Sequence, residues 1–282
     1  MRSFCSVVML FLVGLASSTN SEAAGETRSS DSDAHATDSD DQRRRDYVFV
    51  SLGDSITSAF NTRFLGSTAN KRYSWSTGNS SKVKSHYSRL KSILNHRIRT
   101  YNLARNGAHA VDIVDQYKKV ADKRIDYLTL LVGANDLCEW SSDHTADLLR
   151  LAIDLRYVVS RAISNNKKIK IVMPAVPDMY HLYREGRERC QFKWDFFAAC
   201  PRLLSSASNE IRRQRFVEQL RDVNKLLRKV AEDYPANIKH IDKVYNFKFT
   251  KDHISSIDCF HPSVRGQNEL AKITWLHGWM FD

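Results

Sequence analysis

A chain of 282 residues that is 42% hydrophobic has enough apolar surface for one large α/β domain. Ten glycines and five prolines exclude a collagenous or low-complexity protein. Residues 1–45 hold 5 Lys/Arg and 7 Asp/Glu, so residues 46–282 carry a net +13, a charge drawn to anionic surfaces unless it is only a solvated face.

In chain order, residues 1–23 have the layout of a secretory signal peptide: Arg2, an apolar run over 7–16, then small residues with cleavage expected after Ser18 or Ala23. The run is too short to cross a bilayer, which takes about 20 apolar residues, and no later stretch is a candidate span. A secreted or lumenal protein is therefore expected. Residues 24–45 are Ser-, Asp- and Thr-rich with nothing apolar larger than Ala, which predicts a disordered leader. The globular domain is expected over 46–282.

Within it, strands are predicted at 47–52, 100–104, 127–133, 169–176 and 238–242. Helices are predicted at 82–96, 110–121, 146–163, 210–233 and 262–280. Residues 61–81 and 178–205 read as irregular. Strand–helix alternation implies a five-stranded parallel sheet covered on both faces, a three-layer α/β/α sandwich. Without Cys5, four cysteines remain, Cys138, Cys190, Cys200 and Cys259, an even number that suits two disulfides in an oxidising compartment. Their spacing matches no zinc pattern, and no metal or cofactor is expected. The sequon at 79–81 marks Asn79 as a glycosylation candidate on a surface loop.

Open α/β sheets build their sites beyond the C-terminal ends of the strands. "GDS" (53–55) follows the first strand, "NLARNGA" (102–108) overlaps the second, "GANDLC" (133–138) follows the third, and "DCFHPS" (258–263) comes after the fifth. Ester hydrolysis needs a nucleophile, a base, a group orienting the base, and donors for an oxyanion. Ser55, His261 and Asp258 supply the first three; the N–H groups of Ser55 and Gly107 and the side-chain amide of Asn135 supply the donors. Taken singly, each has a plainer reading: Ser55 as a helix cap, Gly107 as a turn glycine, Asn135 as a cap, and Asp258–His261 as chance spacing. Their order, each at a strand end, favours the chemical reading.

These blocks resemble those of the GDSL, or SGNH, hydrolases, with Ser55, Gly107, Asn135 and His261 as the four signature residues. "GDSITSAF", "YSWSTG" (73–78), "GANDLC" and "DCFHPSVRGQNELA" (258–271) look closest to animal phospholipase B-like members. The resemblance spans most of 47–281. It implies a flavodoxin-like fold, metal-free hydrolysis of phospholipid or lysophospholipid acyl esters, a Ser55–His261–Asp258 triad, and an oxyanion hole of Ser55, Gly107 and Asn135. Asp54 and Asp136 are expected to be structural. The implied partners are an acyl-ester substrate and an anionic membrane surface, with no nucleic acid. Esters of carbohydrate acetyl groups or small lipids, and a non-catalytic anionic-surface binder, stand as alternatives. A Cys138–Cys259 bridge would tie the Asn135 loop to the Asp258 loop, leaving Cys190–Cys200 to close 178–205; this pairing is preferred among three. Trp194, Phe196 and Phe197, among Arg187, Arg189 and Lys193, form either a lipid-facing patch or a small satellite core.

Overall fold

A computed structural model describes residues 45–139 and 144–279. The expected signal peptide, and the leader up to residue 44, lie outside the described residues. Five strands form one sheet: β1 (Tyr47–Gly53), β2 (Ile98–Asn102), β3 (Tyr127–Leu131), β4 (Lys170–Pro174) and β5 (Ile238–Ile241). Their order is β2-β1-β3-β4-β5, and every pairing is parallel. This is the flavodoxin-like order, whose switch point lies where β1 sits between β2 and β3.

Side-chain alternation along the strands sends residues to two cores. Val50, Leu52, Leu128, Leu130, Ile171 and Met173 pack under α2 (Ala110–Lys118), α4 (His144–Asn165) and α7 (Glu210–Glu232). Phe49, Tyr127, Leu131 and Val172 face the other way, against α1 (His86–Ile93) and α9 (Val264–Leu276). The expected three layers are therefore present. Three short helices, α3 (Ala134–Glu139), α6 (Pro201–Leu204) and α8 (Lys243–Asn246), and the longer α5 (Met179–Phe196) complete the described α-helices.

Three expectations need correction. Residues 178–205 are largely helical, in α5 and α6. The last helix begins at Val264 and not at Pro262, because the Ser263 side chain accepts the Gly266 N–H as its N-cap. The disulfides are Cys138–Cys200 and Cys190–Cys259, not Cys138–Cys259 and Cys190–Cys200. The reason lies in the first correction: Cys190 is buried on the inner face of α5, while Cys200 caps α6, so the helix carries the two cysteines to different neighbours.

Arg45 is fastened to the domain by a two-pronged pair with Asp126, at 2.6 and 2.8 Å. Asn79 is exposed.

Candidate active site

The end of β1 is built for a close approach. A Cβ on Gly53, whose φ is +144°, would lie 2.3 Å from the Leu131 carbonyl oxygen, so only glycine lets β1 and β3 meet there. Gln116 of α2 grips this glycine from the other side: the Gly53 N–H donates to Oε1 at 2.8 Å, and Nε2 donates to the Gly53 carbonyl at 2.9 Å. Ser55 follows two residues later, on the floor of a cleft and only 5% exposed. Residues 54–62 form a run of turns, with Ala59 and Asn61 in left-handed conformations (φ +58° and +50°). Two clamps hold the run. Gln267 of α9 donates to the Ile56 carbonyl and accepts the Trp75 N–H, and Ser74 Oγ donates to the Thr57 carbonyl at 2.7 Å. The "YSWSTG" segment thus buttresses the Ser55 turn.

The loop before α9 carries the next two residues. Asp258 Oδ1 accepts the N–H groups of Phe260 and His261 at 2.9 and 3.0 Å, and its Oδ2 lies 2.7 Å from His261 Nδ1. Burial alone would raise the Asp258 pKa. The hydrogen bond and charge of His261 outweigh it, with help from Asn61, and hold the carboxyl below its ordinary value. Asn61 Nδ2 donates to the same Oδ2 at 2.7 Å. Phe60 and Phe260 meet the imidazole edge-on at 5.2 and 4.9 Å between ring centres, fixing its plane. With Nδ1 engaged by Asp258, Nε2 is left for the cleft.

The third group lies across the cleft. Gly107 has φ +70° and is exposed, and Ser58 Oγ ties its loop to the Ser55 turn by donating to Asn106 Oδ1 at 2.6 Å. Among the described residues, the N–H groups of Ser55 and Gly107 donate to no protein acceptor. Asn135 Nδ2 gives one hydrogen to the Ala108 carbonyl at 2.9 Å, which orients the amide and leaves its second hydrogen available. Asp136 accepts the Ala110 N–H at 3.1 and 3.2 Å, joining α3 to the start of α2.

Two cavities meet at Ser55 and His261. A narrow one is walled mainly by apolar side chains, including Ile56, Met179, Leu182, Phe249 and Leu270, and also touches Asp54. A wider one holds Gly107, Asn61, Asn106 and Glu139, with Leu65 and Phe197 on its rim. Asn135 lines both. Ser55, His261, Gly107 and Asn135 all line the wider cavity, so a hydroxyl, an imidazole and three N–H donors share one space. Among the described residues no cluster of His, Cys, Asp and Glu could hold a metal ion.

A family model described as GDSL-like Lipase/Acylhydrolase matches residues 49–274. The chain belongs to the GDSL-like lipase/acylhydrolase family. Its fold is shared with an extracellular lipase from Streptomyces rimosus (18% identity, TM-score 0.50, covering 82% of this chain and 99% of that one). It is shared too with the lipase/acylhydrolase from Enterococcus faecalis (16%, TM-score 0.51, 80% and 92%). The psychrotrophic esterase EstA from Pseudoalteromonas sp., in a form inhibited by monoethylphosphonate, is similar as well (11%, TM-score 0.50, 82% and 96%). No curated protein matches the chain.

Reading the sequence as a GDSL-like acylhydrolase missed Asn61, Gln116 and Gln267. A buried amide in the middle of an apolar helical face is a visible signal for the two glutamines. Asn61, on an irregular turn, gives none.

Proposed function

We propose that this chain is a secreted serine esterase of the phospholipase B-like kind, hydrolysing acyl esters of phospholipids or lysophospholipids. The observation that carries the reading is the buried Asp258–His261 pair beside Ser55, facing unspent donors on Ser55, Gly107 and Asn135. In this mechanism Ser55 Oγ attacks the ester carbonyl carbon as His261 Nε2 takes its proton. The negative oxygen of the tetrahedral intermediate rests on the three donors. Collapse breaks the carbon–oxygen bond, and His261 returns the proton to the departing alcohol. Water then attacks the acyl-serine by the same path in reverse. Asp258 keeps the imidazole in the tautomer with hydrogen on Nδ1. The apolar narrow cavity suits an acyl chain, and the wider one suits the alcohol side of the ester.

The two disulfides are consistent with an extracellular protein. Among the described residues no helix is long and apolar enough to cross a membrane. Glycosylation at Asn79 and peripheral contact with anionic membranes belong to the same proposal. The polar groups of the wider cavity, Asn61, Asn106 and Glu139, favour a second reading in which the alcohol is a sugar carrying an acetyl ester.

The test is fatty-acid release from mixed phosphatidylcholine and lysophosphatidylcholine micelles by wild type and Ser55→Ala. Release by wild type that falls by roughly 10⁴-fold or more in the variant supports the proposal. Silence on lipid with turnover of acetylated sugars selects the second reading, and silence on all esters favours a binding protein.

A further inference from the structure

The wider cavity opens beside an unusual stretch of surface. Phe192 and Phe196, one turn apart on α5, are 80% and 71% exposed and stack at 6.0 Å. Phe197, 40% exposed, meets Phe196 edge-on at 5.0 Å. Across the cavity mouth, Phe64 and Leu65 are also exposed. Among the described residues every exposed phenylalanine belongs to these two segments. Trp194, between them in sequence, is instead core. Single exposed apolar residues need no explanation, but a contiguous aromatic patch at a cleft mouth marks a contact surface.

The patch is attached to the reactive loop. The inner face of α5 is bonded to it through Cys190–Cys259, and Trp194 Nε1 donates to the Cys259 carbonyl at 3.0 Å. Lys193 Nζ donates to the Ser256 carbonyl. The loop with Asp258 and His261 and the exposed aromatics therefore belong to one rigid unit.

The charge around the patch is net basic. Arg63 lies over the Phe64 ring at 5.6 Å, and Arg187, Arg189 and Lys193 stand on the last turns of α5 against Glu188 and Asp195. Asp195 is occupied with the Ser206 N–H and the Gln191 amide.

We propose that this aromatic surface docks the protein onto anionic phospholipid aggregates, with the phenylalanines in the acyl boundary and the basic rim at the headgroups. This rests on the reading of the site as a lipid acylhydrolase and adds which face meets the lipid. Docking there turns the mouth of the wider cavity toward the bilayer, so a lipid enters without crossing open water. Charge complements the anionic headgroups, and the aromatics supply the apolar burial that charge alone lacks.

The test pairs two readouts on wild type and the double variant Phe192→Ser/Phe196→Ser, whose side chains line neither cavity. One is co-flotation with vesicles of phosphatidylcholine and phosphatidylserine (7:3). The other is hydrolysis of a short-chain p-nitrophenyl ester kept below its aggregation threshold. The expected result is a tenfold or greater loss of vesicle binding with unchanged kcat/KM on the dissolved ester. Vesicle binding that the variant keeps overturns the proposal, and so does wild-type binding that salt alone removes while the variant behaves identically. Parallel loss of both readouts also overturns it, by making the aromatics part of the site's support. If wild type binds through the phenylalanines but hydrolyses no ester, the docking surface stands and the hydrolase reading falls. If wild type hydrolyses lipid and the variant binds vesicles unchanged, the reverse holds.

Discussion

Asp54 stands next to Ser55, and its titration leads to a sharp prediction. It is 1% exposed; Oδ1 accepts the Ile56 N–H at 2.9 Å, and Oδ2 has no hydrogen-bond partner. Burial pushes its pKa from 3.8 up to about 7, opposed by the Ile56 N–H and by the His261 charge, and reinforced by Asp136. Between those two values the folded protein keeps a proton that the unfolded chain has released, so stability falls as pH rises through this window and levels off above it. A rise of roughly three units corresponds to about 4 kcal/mol. Asp54→Asn keeps the shape and removes the titration. Urea unfolding of both proteins, disulfides intact, at pH 4 and pH 8 should show the variant gaining about 4 kcal/mol on the wild type across the interval. Parallel stability curves would refute a carboxyl held protonated by burial.

Other outcomes follow from single contacts. Asn61→Leu removes one of the two side-chain donors on Asp258 Oδ2, a charge-assisted bond worth about 1.5–3 kcal/mol. The expected result is a kcat at least about tenfold lower, with KM little changed in steady-state assays; an unaltered kcat would show that Asn61 does not position the carboxylate. Gly53→Ala drives a methyl into the Leu131 carbonyl and should cost more than about 3 kcal/mol in thermal unfolding. Peptide mapping without reduction should recover Cys138 joined to Cys200 and Cys190 joined to Cys259, and a Cys138–Cys259 peptide would contradict the packing of α5.

The sheet was legible because its strands are short apolar runs bounded by turn residues, and because helical spacing fills the gaps between them. The candidate residues Ser55 and Asn135 stood out because they follow β1 and β3 directly, where a Gly-Asp-Ser or a Gly-Ala-Asn-Asp has little packing role, whereas Asp258 and His261 lie well beyond β5 on the loop before α9. Helix α5 was not legible. Gly186 and the alternating charges around it break the helical pattern, yet the glycine is required there: a Cβ would lie 2.7 Å from the Trp194 ring folded back across it. The cysteine pairing depends on that helix, since a loop lets Cys190 reach Cys200, whereas the helix turns Cys190 inward to Cys259. The partners of three amides lie far away in sequence: Gln116 and Gln267 satisfy backbone groups of the β1 end and the Ser55 turn, and Asn61 donates to the Asp258 carboxylate.

Reaction of the intact protein with a fluorophosphonate most directly tests the claim that Ser55 is a nucleophile activated by His261. The serine oxygen bonds to phosphorus as fluoride leaves, and the phosphonate oxygen takes the place of the oxyanion. Mass spectrometry of the digested protein should find one adduct, on Ser55, and none after His261→Ala. A folded wild type that stays unlabelled, or an adduct on another serine with esterase activity surviving in Ser55→Ala, would contradict the account.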